Sequence, residues 1–202
     1  MSKQESLDNL KERVLRELNC PLKDSAHNLV FGKGNPDARI LFIGEAPGEQ
    51  EDLQGIPFVG AAGKQLDKLL SLIGLSLDDV YIANILKYRP PENRDPSKEE
   101  IERHTPYLVE QIKIIKPCII ATLGNYSTKF VLADFKVEDM KKIGGISFLH
   151  GKHMQKNIDG LDFFVVPLYH PAAMLYKPSI RSDLENDFIS MKDLIEKNAK
   201  DE

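Results

Sequence analysis

Ile40-Leu41-Phe42-Ile43-Gly44-Glu45-Ala46-Pro47-Gly48 sets four consecutive apolar residues directly before a loop containing two glycines, a proline and an acid. An unbroken apolar run of this kind reads as a strand buried on both faces, as in parallel sheets. Beyond it, Leu66, Leu69, Leu70, Leu72 and Ile73 fall at helical spacing in a stretch that starts near Ala61 and ends near Gly74, where a glycine C-cap is expected. Strand, loop and helix in that order begin a βα unit. In open α/β sheets ligands bind beyond the carboxyl ends of the strands. The loop from Gly44 to Gly60, which also carries Glu51, Asp52 and Phe58, is therefore a candidate site. A plain turn accounts for its glycines and proline equally well.

The rest of the chain repeats the pattern. Leu7, Leu10, Val14, Leu15 and Leu18 give an N-terminal amphipathic helix, followed by a loop rich in glycine and proline to Asp37. Strand one is expected at Arg39 to Gly44 and strand two at Val80 to Ile85, with Asn84 near its carboxyl end. A loop from Lys87 to Pro96 follows, and Ser97 with Glu100 has the spacing of a capping box for a helix that runs to about Lys116. Cys118 to Leu123 is strand three, leading through Gly124 into a short helix. Val137 to Asp159 is glycine-rich, basic and without clear period. Phe163 to Leu168 is strand four, delivering Tyr169-His170-Pro171-Ala172-Ala173-Met174-Leu175-Tyr176, and Leu184 to about Lys197 is a closing helix. Strands alternating with helices imply an α/β protein with a mainly parallel sheet and helices on both faces. One domain over residues 1–202 is expected, with the N-terminal helix and loop at 1–37 and the core at 38–198.

Composition narrows the class. A hydrophobic content of 42%, a charged content of 29% and the absence of any run long enough to span a bilayer describe an ordinary globular chain with no membrane partner. A net charge of −4 argues against a protein that coats nucleic acid over its whole surface, although Lys87, Arg89 and Arg94 cluster in one loop. Cys20 and Cys118 are far apart, and no disulfide framework is expected. The chain begins with a charged helical pattern, so a cytoplasmic location is expected. There is no P-loop, since Gly32-Lys33-Gly34 precedes a strand and opens no helix. Neither a zinc-type Cys/His quartet nor a Gly-x-Ser-x-Gly elbow is present.

The unusual loops all follow strands, so they should converge on one edge of the sheet. Such a site would hold carboxylates (Glu45, Glu51, Asp52), an aromatic face (Phe58), two amides (Asn84, Asn93) and a histidine (His170). An amide can read the Watson–Crick edge of a base, and a phenyl ring can stack on its plane. Lys87, Arg89, Arg94 and Lys177 could hold phosphates, and Met174-Leu175 could wedge into a base stack. Taken singly, each has a duller explanation: a hydrogen-bonded histidine, a core phenylalanine, an asparagine ending a strand, a solvated basic loop.

Gly44-Glu45-Ala46-Pro47-Gly48-Glu49-Gln50-Glu51-Asp52, Gly55-Ile56-Pro57-Phe58-Val59-Gly60, Tyr81-Ile82-Ala83-Asn84, Lys87-Tyr88-Arg89-Pro90-Pro91-Glu92-Asn93-Arg94-Asp95-Pro96 and His170-Pro171-Ala172-Ala173 together resemble the family 4 uracil-DNA glycosylases over about Leu18 to Leu194. The resemblance implies a three-layer α/β/α sandwich around a central four-stranded parallel sheet, and excision of uracil from DNA by a monomer. It makes Phe58 the stacking platform, Asn84 the residue that separates uracil from cytosine, and His170 a donor to uracil O2. Gly44, Ala46, Pro47 and Gly48 become backbone contacts to the base, and Met174 or Leu175 the intercalating side chain. Where the best-studied branch has a water-activating Asp, this chain has Ala46, leaving Glu51 or Asn93 as candidates for the water. Glu45 and Glu51 are candidate walls against a thymine methyl.

The same resemblance implies a [4Fe-4S] cluster on four cysteines. The matching positions are Glu17, Cys20, Tyr88 and His104, so the expectation for this chain is no cluster and no other cofactor. Strand cleavage is not expected, because no lysine stands in a motif position suited to Schiff-base chemistry. Two other classes remain open at this point: a silent base-binding module, and an enzyme for free nucleotides. Within the glycosylase class another base, such as hypoxanthine, is the alternative substrate.

Overall fold

The computed structural model describes residues 1–198; residues 199–202, the end of the expected domain span, lie outside the described residues. In chain order the helices are α1 (Lys3–Glu17), α2 (Leu22–Ser25), α3 (Glu49–Gln54), α4 (Ala61–Leu72), α5 (Lys98–Ile115), α6 (Asn125–Leu132), α7 (Ile146–Leu149), α8 (Ala173–Tyr176) and α9 (Pro178–Asn198). The strands are β1 (Lys33–Gly34), β2 (Ile40–Gly44), β3 (Val80–Asn84), β4 (Ile119–Leu123), β5 (Met154–Ile158) and β6 (Leu161–Leu168).

The sheet order is β1-β3-β2-β4-β6-β5. Its centre, β3-β2-β4-β6, is parallel, as the apolar runs imply. The sheet has six strands, not four, because an antiparallel strand closes each edge: β1 pairs with β3, and β5 pairs with β6. β5 and β6 form a hairpin whose Asp159-Gly160 turn has both residues at positive φ, 48° and 86°. That backbone matches the twist of the flanking strands and favours Asp-Gly.

Alternation within the strands divides the core. Leu41, Ile43, Tyr81, Ala83 and Ile120 face the side covered by α1, α5 and α6. Ile40, Phe42, Val80, Ile82, Ile119 and Ala121 face the side covered by α4 and α9. Every residue of β2, β3 and β4 is buried, which explains why the runs are apolar throughout. α5 starts on the expected capping box, with Ser97 Oγ accepting from Glu100 N and the Glu100 carboxylate accepting from Ser97 N. Among the described residues no helix is long and apolar enough to cross a membrane.

Candidate active site

The parallel strands deliver their carboxyl ends to one edge, and a cleft of about 410 Å³ opens there. Glu45, Ala46, Pro47, Gly48, Glu51 and Phe58 line it from the loop after β2. Asn84, Asn93 and Arg94 line it from the β3 side, and His170 and Ala172 from the segment after β6. Three loops spread between Glu45 and Ala172 thus meet in one cavity.

Phe58 forms the wall. It is 6% exposed and adopts φ +51°, a left-handed conformation that a bulky residue takes only under constraint. The constraints are specific. Glu51 Oε1 accepts from Val59 N at 2.9 Å and Gly60 N at 2.7 Å, and Lys33 Nζ donates to the Phe58 carbonyl at 2.9 Å. From α4, Gly63 packs directly on the same peptide: a Cβ there would lie 2.0 Å from the Phe58 oxygen. Gly44 is required for the opposite contact, since its Cβ would stand 2.3 Å from Asn84 Oδ1 and 2.9 Å from the Phe58 ring.

Asn84 ends β3 at 2% exposure, and its Oδ1 is buried without a hydrogen-bond partner among the described residues. A buried acceptor left unpaired costs on the order of 1–3 kcal/mol, which a ligand donor would relieve. His170 stands across the cleft, its ring centroid 5.8 Å from that of Phe58. Its Nδ1 accepts from Ala172 N at 3.3 Å, which assigns the ring proton to Nε2. Burial lowers its pKa, with the Glu51 charge opposing, so at neutral pH the imidazole is a neutral donor. Burial, reinforced by Asp95, pushes the Glu45 carboxyl up to about 7. Tyr126 donates to Asp95 from α6 and fixes that neighbour.

The structure corrects several sequence expectations. Lys87 was expected on phosphates but is fully buried, its Nζ bonded to the Asn84 carbonyl and to Gln111. Met174 was expected in a base stack, yet it packs in the core beneath α8, while Leu175 and Tyr176 turn outward. Arg94 reaches the cleft but its guanidinium forms a two-pronged pair with Glu100, at 2.9 and 2.5 Å, which compensates its charge. Arg89 donates through Nε to Asn93 Oδ1 at 2.8 Å. Asp52 is away from the cleft lining: it accepts from His27 N, His27 Nδ1 and Asn28 N, pinning α3 to the N-terminal segment. Sequence reasoning assigned no role to Lys33 and Gly63, which act on the site from other elements, or to Asp95, which acts on Glu45 from the β3 loop.

Around Cys20 the residues do not fit an iron–sulfur cluster. Cys20, Tyr88 and His104 are buried, and the two rings meet edge to face at 6.3 Å, filling the space with side chains. Glu17 is exposed and pairs with Arg16 at 2.7 Å. Such a cluster is held by four strong ligands, normally thiolates, and this corner supplies one.

A cleft with an aromatic wall, an unpaired buried amide and a neutral imidazole suits a flat heterocycle with hydrogen-bonding edges, so the protein ranks with enzymes that handle nucleobases. Comparison with known proteins agrees. Residues 31–190 match the Uracil DNA glycosylase superfamily. The chain is similar to a type-4 uracil-DNA glycosylase of Saccharolobus solfataricus, at 47% identity over 95% of this chain and 87% of that one. It is also similar to the type-4 enzymes of Archaeoglobus fulgidus (44% identity, 94% of each chain) and Thermotoga maritima (39%, over 98% and 99%). The chain belongs to the uracil DNA glycosylase superfamily and is a base-excision enzyme of DNA repair.

Proposed function

We propose that this protein hydrolyses the N-glycosidic bond of uracil in DNA as a monomer, leaves an abasic site without cutting the strand, and does so without an iron–sulfur cluster. The observation that carries the reading is the buried, unpartnered Asn84 Oδ1 set between the Phe58 platform and His170. A uracil extruded from the stack would lie on Phe58. The Asn84 amide would accept from N3–H and donate to O4. Cytosine has no N3 proton and presents a donor at its 4-position, so it leaves the amide unsatisfied, a mismatch on which a polar site discriminates strongly.

Cleavage turns the base into a uracilate anion and the sugar into an oxocarbenium-like cation. His170 Nε2–H, aimed at O2, meets charge that exists mainly late in the reaction, so it lowers the barrier more than it strengthens ground-state binding. A neutral imidazole keeps this donor in place at physiological pH. The attacking water needs an acceptor on the sugar side. Glu51 Oε1 is committed to two main-chain donors, which leaves Oε2 for that water, with Asn93 at the cleft rim as its second partner. Glu45 and Glu51, both in the cleft lining, are the walls against a thymine methyl. Arg89 is the residue of the β3 loop assigned to phosphate, and Leu175, 44% exposed, is the wedge. Among the described residues no lysine lines the cleft, which supports simple hydrolysis over Schiff-base chemistry.

An oligonucleotide containing one uracil tests the proposal. Strand breaks should appear only after alkali, and His170→Ala and Asn84→Ala should each slow their appearance by about 100-fold or more. Breaks without alkali would overturn the monofunctional reading, and no product from folded protein would overturn the uracil assignment. Protein purified without oxygen should carry no iron by elemental analysis and no cluster absorbance; four irons per chain would overturn the cluster-free reading.

A further inference from the structure

Lys87 lies at the start of the basic loop but is 0% exposed. Its Nζ donates back to the main-chain carbonyl of Asn84 at 2.8 Å and across to Gln111 Oε1 at 2.5 Å. Gln111, itself fully buried on α5, donates from Nε2 to the Phe31 carbonyl at 3.0 Å. The Phe31 ring lies 5.9 Å from Nζ, and the Lys87 carbonyl accepts from Val30 N at 2.9 Å. No carboxylate among the described residues forms an ion pair with Lys87.

A buried amine without a counter-ion is unfavourable, and methionine would fill the same space with no polar penalty. The position thus has a use for its two N–H bonds. A neutral amine has two donors, matching the two acceptors supplied, and burial lowers the pKa to about 7. The chain between the clamp's ends is also fixed: Ile85 N donates to the Gly44 carbonyl and Leu86 N to the Glu45 carbonyl, both at 3.0 Å. Ile85 N and the Asn84 carbonyl belong to one planar peptide, so these bonds hold that plane from the β2 side, and Lys87 holds it again at the carbonyl oxygen. With the carbonyl held, the Cα–Cβ bond of Asn84 has one direction, into the cleft.

We propose that Lys87 is a positioning residue for the base-reading amide, holding Asn84 by its main-chain carbonyl and tying it through Gln111 to α5 and the Phe31 segment. The inference rests on the role assigned to Asn84 above. Side chains that read or activate a substrate must be held within a fraction of an ångström, and displacement by about 1 Å can slow a reaction about 100-fold.

The test is a double-mutant cycle under single-turnover conditions on uracil-containing DNA, using wild type, Lys87→Met, Asn84→Ala and the double variant. Lys87→Met should slow excision about 10- to 100-fold with little change in DNA affinity. Adding it to Asn84→Ala should slow excision no further, since there is no amide left to position. Wild-type rate in Lys87→Met, equal multiplicative losses in both backgrounds, or a loss confined to DNA affinity would overturn the inference. A wild-type rate in Asn84→Ala would instead overturn the reading of the pocket, and this inference with it. If Lys87→Met does not fold, Gln111→Leu, which removes the outer end of the clamp, takes its place in the cycle with the same criteria.

Discussion

Gly63→Ala separates the position of the Phe58 platform from every group that touches the base. Gly63 is buried in the first turns of α4 and is absent from the cleft lining. A Cβ there would lie 2.0 Å from the Phe58 carbonyl oxygen and 2.3 Å from its carbonyl carbon. Such contacts belong near 3.5 Å, so one backbone must retreat on the order of 1 Å. Alanine favours the helix by about 1 kcal/mol over glycine, but overpacking against backbone costs about 1–3 kcal/mol, so the net stability change is a loss of about 0–2 kcal/mol. The effect on excision should be larger. The displaced peptide carries Phe58 and two of the bonds that hold its left-handed conformation, and a shift of about 1 Å lowers the rate about 100-fold. Single-turnover excision beside thermal melting measures both. Gly74→Ala is the control: Gly74 has φ +75° with nothing within 4 Å of a Cβ, so alanine there should lower stability by about 1 kcal/mol and leave excision unchanged. Wild-type excision by folded Gly63→Ala would refute the claim that this contact sets the platform.

His170→Ala should reduce excision about 100- to 1000-fold with modest change in DNA affinity, as for other preorganised donors. Burial lowers the His170 pKa, so the native state holds its proton less tightly than the unfolded chain; the neutral donor persists through the ordinary histidine range, and excision lost by titration of His170 should appear only below it. Glu100→Ala removes both the capping-box acceptor and the Arg94 partner, and should cost about 1–3 kcal/mol in urea denaturation. Arg94 and the Ser97 bonds hold the Glu100 carboxyl down at about 2, so its contribution is complete above the usual carboxylate range and fades as pH falls toward 2. DNA affinity should fall as salt rises, and Arg89→Ala should flatten that dependence by about one phosphate contact.

The four parallel strands were legible because burial on both faces leaves an uninterrupted apolar run, and the run's end marks where a site can form. β1 was not, being two residues long with one of them, Gly34, at φ +113°. β5 alternates in exposure, but Lys156 on its inner face hides that pattern in the residue types; Asp159-Gly160 between it and the apolar β6 is nonetheless a hairpin signal that a reading of the turn would have caught. α3 shows no apolar period because among its residues only Asp52 is buried, and that burial serves His27 and Asn28. Within the site, residue types were informative where the loop itself touches the cleft. Lys87 and Met174 were misplaced because adjacency in a basic or exposed motif says nothing about which side chains fold inward. Lys33 and Gly63 act through space from separate elements, and no local pattern marks them, whereas Asp95 stands in the β3 loop itself but acts through Glu45.

On the cluster-free reading proposed above, side chains alone secure the corner around Cys20. Tyr88 Oη and His104 Nε2 are both buried with no partner among the described residues, while His104 Nδ1 bonds the Glu100 carbonyl at 2.7 Å. Burial holds the His104 pKa down to about 4, so the ring is neutral at physiological pH and places no charge in the core. Removing an unsatisfied hydroxyl while keeping the ring should relieve its desolvation at no loss of packing, so Tyr88→Phe should leave stability unchanged or raise it by about 1 kcal/mol. A polar occupant bridging Oη and Nε2 would reverse the sign, because the phenylalanine would then break a satisfied network and cost about 1–3 kcal/mol. Chemical denaturation of Tyr88→Phe beside His104→Leu decides between them. Losses in both variants that fail to add in the double variant would refute a dry corner, whereas neutral or positive effects would mean that hydrophobic packing of these two rings is what secures the loop from Lys87 to Pro96 at the edge of the cleft.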